Sequence, residues 1–241
     1  MKLLNAVTLR SLQFGSAAFA ASALVACGGG GASPEGTVSG TAAVGAALAN
    51  ATIQLSCKNG SGSATANANG AYSATFQFDG PCTITATSGA ITVQSFASGS
   101  GTFNVTPLTQ LLLSYLAGEL GTTVDGLLAG LATNSTYQSA LTNSTLIANA
   151  ESSVAKLLQS MYGVTLSTTS FLTVSFTPGQ PGADADLDAL LAAGAIGSNG
   201  QPVTALINAA IAAGAAVGGQ SSSGSTGTGT PTGGTGGTGG T

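Results

Sequence analysis

Between Glu35 and Val105 apolar residues return at alternate positions in short runs. Ala51-Thr52-Ile53-Gln54-Leu55-Ser56-Cys57 alternates with period two, and so does Pro81-Cys82-Thr83-Ile84-Thr85-Ala86. That period puts one face of a strand in a core and the other in water. Val38, then Tyr72, Phe76 and Phe78, then Ile91 and Val93 mark further short segments separated by Thr, Ser and Gly. The Asn-Gly dipeptides in Lys58-Asn59-Gly60-Ser61-Gly62 and Asn67-Ala68-Asn69-Gly70 predict hairpin turns, because both residue types tolerate positive φ. Several short strands at close spacing predict a small sandwich.

Near Thr106 the period changes to that of a helix. Thr106-Pro107 supplies an N-cap followed by Pro at the first helical position. Leu108, Leu111, Leu112, Tyr115 and Leu116 follow at helical spacing, and Val124, Leu127, Leu128 and Leu131 repeat the pattern. Ser135 and Gln138 have the spacing of a capping box. Ile147, Ala150, Val154, Leu157, Leu158 and Met161 form a longer amphipathic stripe that Gly163 ends. Val164 to Phe176, rich in Thr, Val and Phe, reads as extended. Asp184 to Ala193 and Pro202 to Val217 read as two more helices, the last Ala-rich and apolar nearly all round. It is short for a bilayer, so packing against the other helices is expected.

The fold class expected is therefore α+β: a small β-sandwich over 35–105, then an all-α region over 106–217. Residues 218–241 contain Gly, Thr and Ser with one Gln and one Pro, and are expected to be a disordered low-complexity tail.

The segment ahead of the strands has a different character. Lys2 and Arg10 give a positive start, and Leu12 to Val25 is mostly apolar or small, too short to span a membrane. Leu24-Val25-Ala26-Cys27 has the form of a lipobox, where a bacterial signal peptidase cuts and the new N-terminal Cys carries lipid. Residues 1–26 then read as a lipoprotein signal peptide, Cys27 as the lipidation site, and 27–34 as a Gly-rich tether. Ordinary secretory cleavage after Ala20 or Ala23 is the other reading, and it would leave Cys27 as an odd thiol. With Cys27 acylated, Cys57 and Cys82 remain as a candidate disulfide, with two buried thiols as the alternative. A bridge closing a loop of roughly 25 residues would stabilise by about 3–4 kcal/mol in the chain-entropy picture.

Composition excludes much chemistry. His and Trp are absent, and charged residues make up 5% of the chain. Proteases built on an imidazole base and the common zinc sites lack their essential group. Beyond residue 26, eight acidic side chains face Lys58 and Lys156 alone, a side-chain charge of −6. Nucleic acid is therefore not an expected partner, since cations drive that binding. Asp184, Asp186 and Asp188 have the spacing of half a calcium loop, but Ala189 and Ala195 stand where that loop needs Gly and Glu. Capping of the following helix is the expected role. Tyr72, Phe76 and Phe78 are expected to fill the sandwich core rather than form a stacking face. No catalytic residue, cofactor or metal site is expected.

Gly36-Thr37-Val38-Ser39-Gly40, Ala51-Thr52-Ile53-Gln54-Leu55 and Ala68-Asn69-Gly70-Ala71-Tyr72-Ser73 together resemble a carboxypeptidase-regulatory-like (prealbumin-like) module. Asn67 replaces the acidic residue common at its turn. The resemblance implies a seven-stranded sandwich with no catalysis of its own. The longer stretch, with Gly80-Pro81-Cys82 and Asn104-Val105-Thr106-Pro107-Leu108-Thr109, is similar to Gram-negative lipoproteins with a helical C-terminal region. The function expected is that of a lipid-anchored cell-envelope protein, at the outer membrane, with a non-enzymatic structural or adhesive binding role. A carbohydrate- or peptide-binding accessory lipoprotein is the alternative. Expected partners are the membrane, through the lipid anchor, and an envelope glycan or protein.

Overall fold

The computed structural model describes residues 34–223, with side chains as far as 219. The expected signal peptide, Cys27 and nearly all of the expected tether lie outside the described residues. The chain is α+β, with strands in two sheets followed by six helices among the described residues.

Strands β1 (Glu35–Thr41), β4 (Ala71–Gln77) and β7 (Gly101–Thr102) form one sheet in the order β4-β1-β7, with β1 and β7 parallel. Strands β2 (Thr52–Cys57), β3 (Gly60–Thr65), β5 (Cys82–Ser88) and β6 (Ile91–Ala97) form a second, antiparallel sheet in the order β3-β2-β5-β6. The alternation predicted for β2 and β5 is present: Ile53, Leu55, Ile84 and Ala86 are buried between the sheets. Cys57 lies directly opposite Cys82 in the register, and the two are joined by a disulfide on the inner face.

The two Asn-Gly segments behave differently from one another. Lys58 and Asn59 turn the β2–β3 hairpin, with Gly60 as the first residue of the returning strand. The 67–70 segment is not a hairpin within a sheet. There Asn67 Oδ1 accepts from the amides of Asn69 and Ala71, and the chain crosses from one sheet to the other. Tyr72 reaches across the inner face of Gly40, and its hydroxyl donates to the Phe103 carbonyl at 2.6 Å. A Cβ at residue 40 would strike that carbonyl, so only Gly fits beneath the ring.

Helix α1 (Pro107–Glu119) has the expected start. Thr106 and Thr109 cap each other reciprocally, and Pro107 occupies the first turn. Apart from Gln110, every residue from Pro107 to Gly118 is buried. Helix α2 spans Val124–Gly130 behind the Thr123 cap. Helix α3 (Ser135–Thr142) is capped by Asn134 rather than Ser135, because the Asn134 amide oxygen takes the amides of Thr136 and Tyr137. Gln138 instead donates to the Leu131 carbonyl. Helix α4 (Ser144–Tyr162) starts at the Asn143 cap and ends at Gly163, which has φ of 69° as a left-handed terminator must.

Residues 164–176 form no strand. They run as irregular chain with a turn near Phe171, and their backbone groups are met by side chains instead of a neighbouring strand. Helices α5 (Ala183–Ala192) and α6 (Thr204–Ser223) complete the fold. The helix predicted to stop at Val217 continues to Ser223, so the start of the expected tail is helical; 224–241 lie outside the described residues.

Three glycines account for how α6 packs. A Cβ on Gly118 would run into the Ile211 carbonyl, one on Gly214 into the Tyr115 carbonyl, and one on Gly218 into the Glu119 carbonyl. The backbones of α1 and α6 therefore lie against each other. The apolar core is continuous from Ile53 and Phe96 in the strands through Leu112 and Leu116 to Leu158 and Ala210 in the helices. The boundary at 105/106 marks a change of element within one core.

Gly214→Val should lower stability by at least about 2–3 kcal/mol, since a branched side chain cannot enter without parting the helices. Gly219→Ala, with open space around it, should be neutral or slightly stabilising. Urea denaturation of both variants checks this.

Candidate binding surface

The acidic cluster does not assemble. Asp184 is buried; its Oδ2 accepts from the Gly179 amide at 2.6 Å, and its Oδ1 has no hydrogen-bond partner. Asp186, also buried, takes the Ser167 amide on both oxygens and the Ser167 hydroxyl at 2.7 Å. Asp188 is exposed. The N-cap of α5 is Gly182, with no side-chain bond, so the expected capping role is corrected. Asp184 and Asp186 stand in the first turn, where the dipole favours them, but their bonds hold the 167 and 179 loops. Among the described residues no group of three or more His, Cys, Asp and Glu is placed to hold a metal ion.

Glu151 is a buried acid that pattern reading passed over. It lies on α4 among apolar neighbours, and its Oε1 accepts from the Leu172 amide at 2.8 Å. Burial pushes its carboxyl up to about 7, with the Leu172 bond pulling the other way. The only signal in the sequence was a lone Glu on an otherwise apolar helical stripe, which an exposed position would explain as well.

Tyr72 and Phe76 are buried, and Phe78 is half-buried against Phe76 with ring centroids 5.9 Å apart. They fill the sandwich, as expected. Burial raises the Tyr72 hydroxyl's pKa, in keeping with a proton held on the Phe103 carbonyl.

The arrangement with the most regular chemistry is the outer face of the four-stranded sheet. The register places Thr65, Thr52, Thr87 and Thr92 in one row across all four strands, and all four are exposed. The next row is Ser63, Gln54, Thr85 and Gln94. The third is Ser61, Ser56 and Thr83, ending at buried Phe96. Strand geometry sets the rows about 6.7 Å apart and neighbours within a row about 4.8 Å apart. Thr83 donates to the Ser56 carbonyl, and the Thr87 and Thr92 hydroxyls lie 3.5 Å from each other. Among the described residues the other side chains of these rows make no hydrogen bond within the protein. None is charged.

Beside this face, between β3 and β4, runs a groove of about 550 Å³. Gln54, Ser61, Ser63 and Thr75 line it, with Phe76 at its apolar side. Gly62 makes room for the Phe76 ring, which a Cβ there would meet. Sequence reading found these residues as the polar half of an alternation. It did not place Gly60–Thr65 as a strand, so the rows were not visible.

No family model, curated protein or solved structure matches the chain.

The raised pKa of Glu151 has a definite sign in stability. Its folded value lies above the 4.5 of a free carboxyl, so the native state holds the proton more tightly. The favourable contribution is complete below that value and is lost as pH rises through about 7. The wild type should melt several degrees lower at pH 8 than Glu151→Gln does, relative to their difference at pH 5. The amide oxygen keeps the Leu172 bond, so the two melting curves isolate the charge.

Proposed function

We propose that this chain is a lipid-anchored cell-envelope protein with a non-enzymatic structural or adhesive binding role. The observation that carries the reading is Leu24-Val25-Ala26-Cys27 behind a positive, then apolar segment. The cysteines support it. Cys57 and Cys82 are bridged, a state that oxidising compartments allow, and Cys27 is left as the odd thiol that acylation would use. Gly28, rather than Asp, follows Cys27 and suits sorting to the outer membrane of a Gram-negative cell. Several acyl chains, at about 0.8 kcal/mol per buried methylene, give stable anchoring.

The two-sheet domain also supports kinship with the carboxypeptidase-regulatory-like module. That resemblance implied a seven-stranded sandwich, and the described strands number seven, in sheets of three and four. On this reading the module presents surface, and lipid fixes where the surface is displayed. The carbohydrate-binding alternative is favoured by one observation, the uncharged rows of Thr, Ser and Gln on the exposed sheet.

Metabolic labelling with a palmitate analogue tests the anchor. The wild type should take up label and fractionate with the outer membrane, and Cys27→Ser should do neither. Equal labelling of both proteins would end the proposal.

A further inference from the structure

We infer that the outer face of the β3-β2-β5-β6 sheet, with the groove at its β3 edge, is a binding surface for a neutral polysaccharide chain. This rests on the binding role proposed above and names its ligand class.

The argument begins with what the face lacks. Its rows carry no Lys or Arg, so phosphate backbones and anionic headgroups have nothing to neutralise them. They carry no exposed aromatic or Arg, the residues that anchor protein partners. Phe96, the single aromatic in the rows, is fully buried at a corner. Beyond the rows, the β2–β3 turn carries Lys58, and Asp79 accepts there from the Asn59 side-chain amide.

What the face has is hydroxyls and amides at a fixed repeat. Each Thr or Ser hydroxyl donates and accepts, and each Gln amide offers two donors and an acceptor. A polymer of hydroxylated rings presents the same mixture at its own repeat. Because the side chains stand on a hydrogen-bonded sheet, their positions are set before the ligand arrives. Thr and its β-branched Cβ hold few rotamers, which lowers the ordering cost. Charge matching points the same way: an uncharged face suits an uncharged chain, whereas a charged ligand would lose hydration with no partner in return.

The groove extends the contact. Its volume of about 550 Å³ is in the range of small-ligand clefts. Gln54 and Ser63 belong both to the rows and to the groove, and Thr75 adds a hydroxyl from the other sheet. A chain running across the strands from the groove would meet Ser63, Gln54, Thr85 and Gln94 in succession.

Retention of the purified full chain on insoluble chitin and on insoluble β-1,4-glucan tests this, with alginate beads as the anionic comparison. The wild type should be retained on at least one of the two neutral polymers and not on alginate. Gln54→Leu/Thr85→Val removes hydrogen-bonding groups from the central row and should weaken retention by about tenfold or more. Ser73→Ala, exposed on the outer face of the other sheet and outside the groove, should leave it unchanged. If the first variant fails to fold, amide exchange on the wild type with a soluble chitin or glucan oligomer replaces it, and protection should concentrate in 52–56 and 83–87. No retention on either neutral polymer overturns the inference. So does retention on alginate alone, equal retention by wild type and Gln54→Leu/Thr85→Val, or protection confined to the helices. These outcomes are independent of palmitate labelling, so failure here leaves the anchor standing, and the reverse holds too.

Discussion

Asn104 has no exposed surface, and all its side-chain hydrogen-bonding groups are engaged. Its Oδ1 accepts from the Thr41 amide at the end of β1. Its Nδ2 donates to the carbonyls of Phe171 and Val174, and its own amide donates to the Leu172 carbonyl. A buried amide of this kind is costly if any partner is missing and specific if all are present. Here it ties the first strand to the irregular chain between α4 and α5. Glu151 holds the same chain from the helix side through the Leu172 amide. The next residues, Val105 to Thr109, bridge to Ala42 and then cap α1. Strands and helices thus become one body at a single short stretch of sequence.

Helix α1 carries that constraint into the core. It is buried on nearly every side, so it cannot be stable apart from the elements around it. The β6 edge receives its first turn, where Thr109 donates to the Gln94 carbonyl and Gln110 accepts from the Gln94 amide. On the far side, glycines bring α6 to backbone distance. Few charges are needed because hydroxyls and amides do the capping: Thr106, Thr123, Asn134 and Asn143 each accept from their helix's first-turn amides. These caps carry no charge, in keeping with a chain in which 5% of residues are charged.

Local chemistry was legible wherever one or two residues decide the outcome. Thr106-Pro107 and Gly163 could be read directly, because a cap and a left-handed terminator act over one turn. Strands β2, β4, β5 and β6 showed themselves through large alternating side chains. Strand β3 did not, since its inward positions are Gly62 and Ala64, and the space above Gly62 is taken by Phe76 from the other sheet. That contact lies outside any local window. The same limit hid the proposed binding face: Thr52, Gln54 and Thr85 were plainly polar positions, but only the register aligns them. Val164 to Phe176 has strand-like composition, yet Asn104 and Glu151 supply the partners a strand would have needed. The acids at 184, 186 and 188 looked like one cluster because they are close in sequence. On a helix, residues two apart point to different sides, so Asp184 and Asp186 hold different loops, while Asp188 is exposed.

Calorimetry of the full chain tests the central claim, that one core joined at Asn104 makes strands and helices a single cooperative unit. The account predicts one thermal transition, with calorimetric and van't Hoff enthalpies equal. Two resolved transitions, or a calorimetric enthalpy well above the van't Hoff value, would mean that the sandwich and the helices unfold separately and would contradict it.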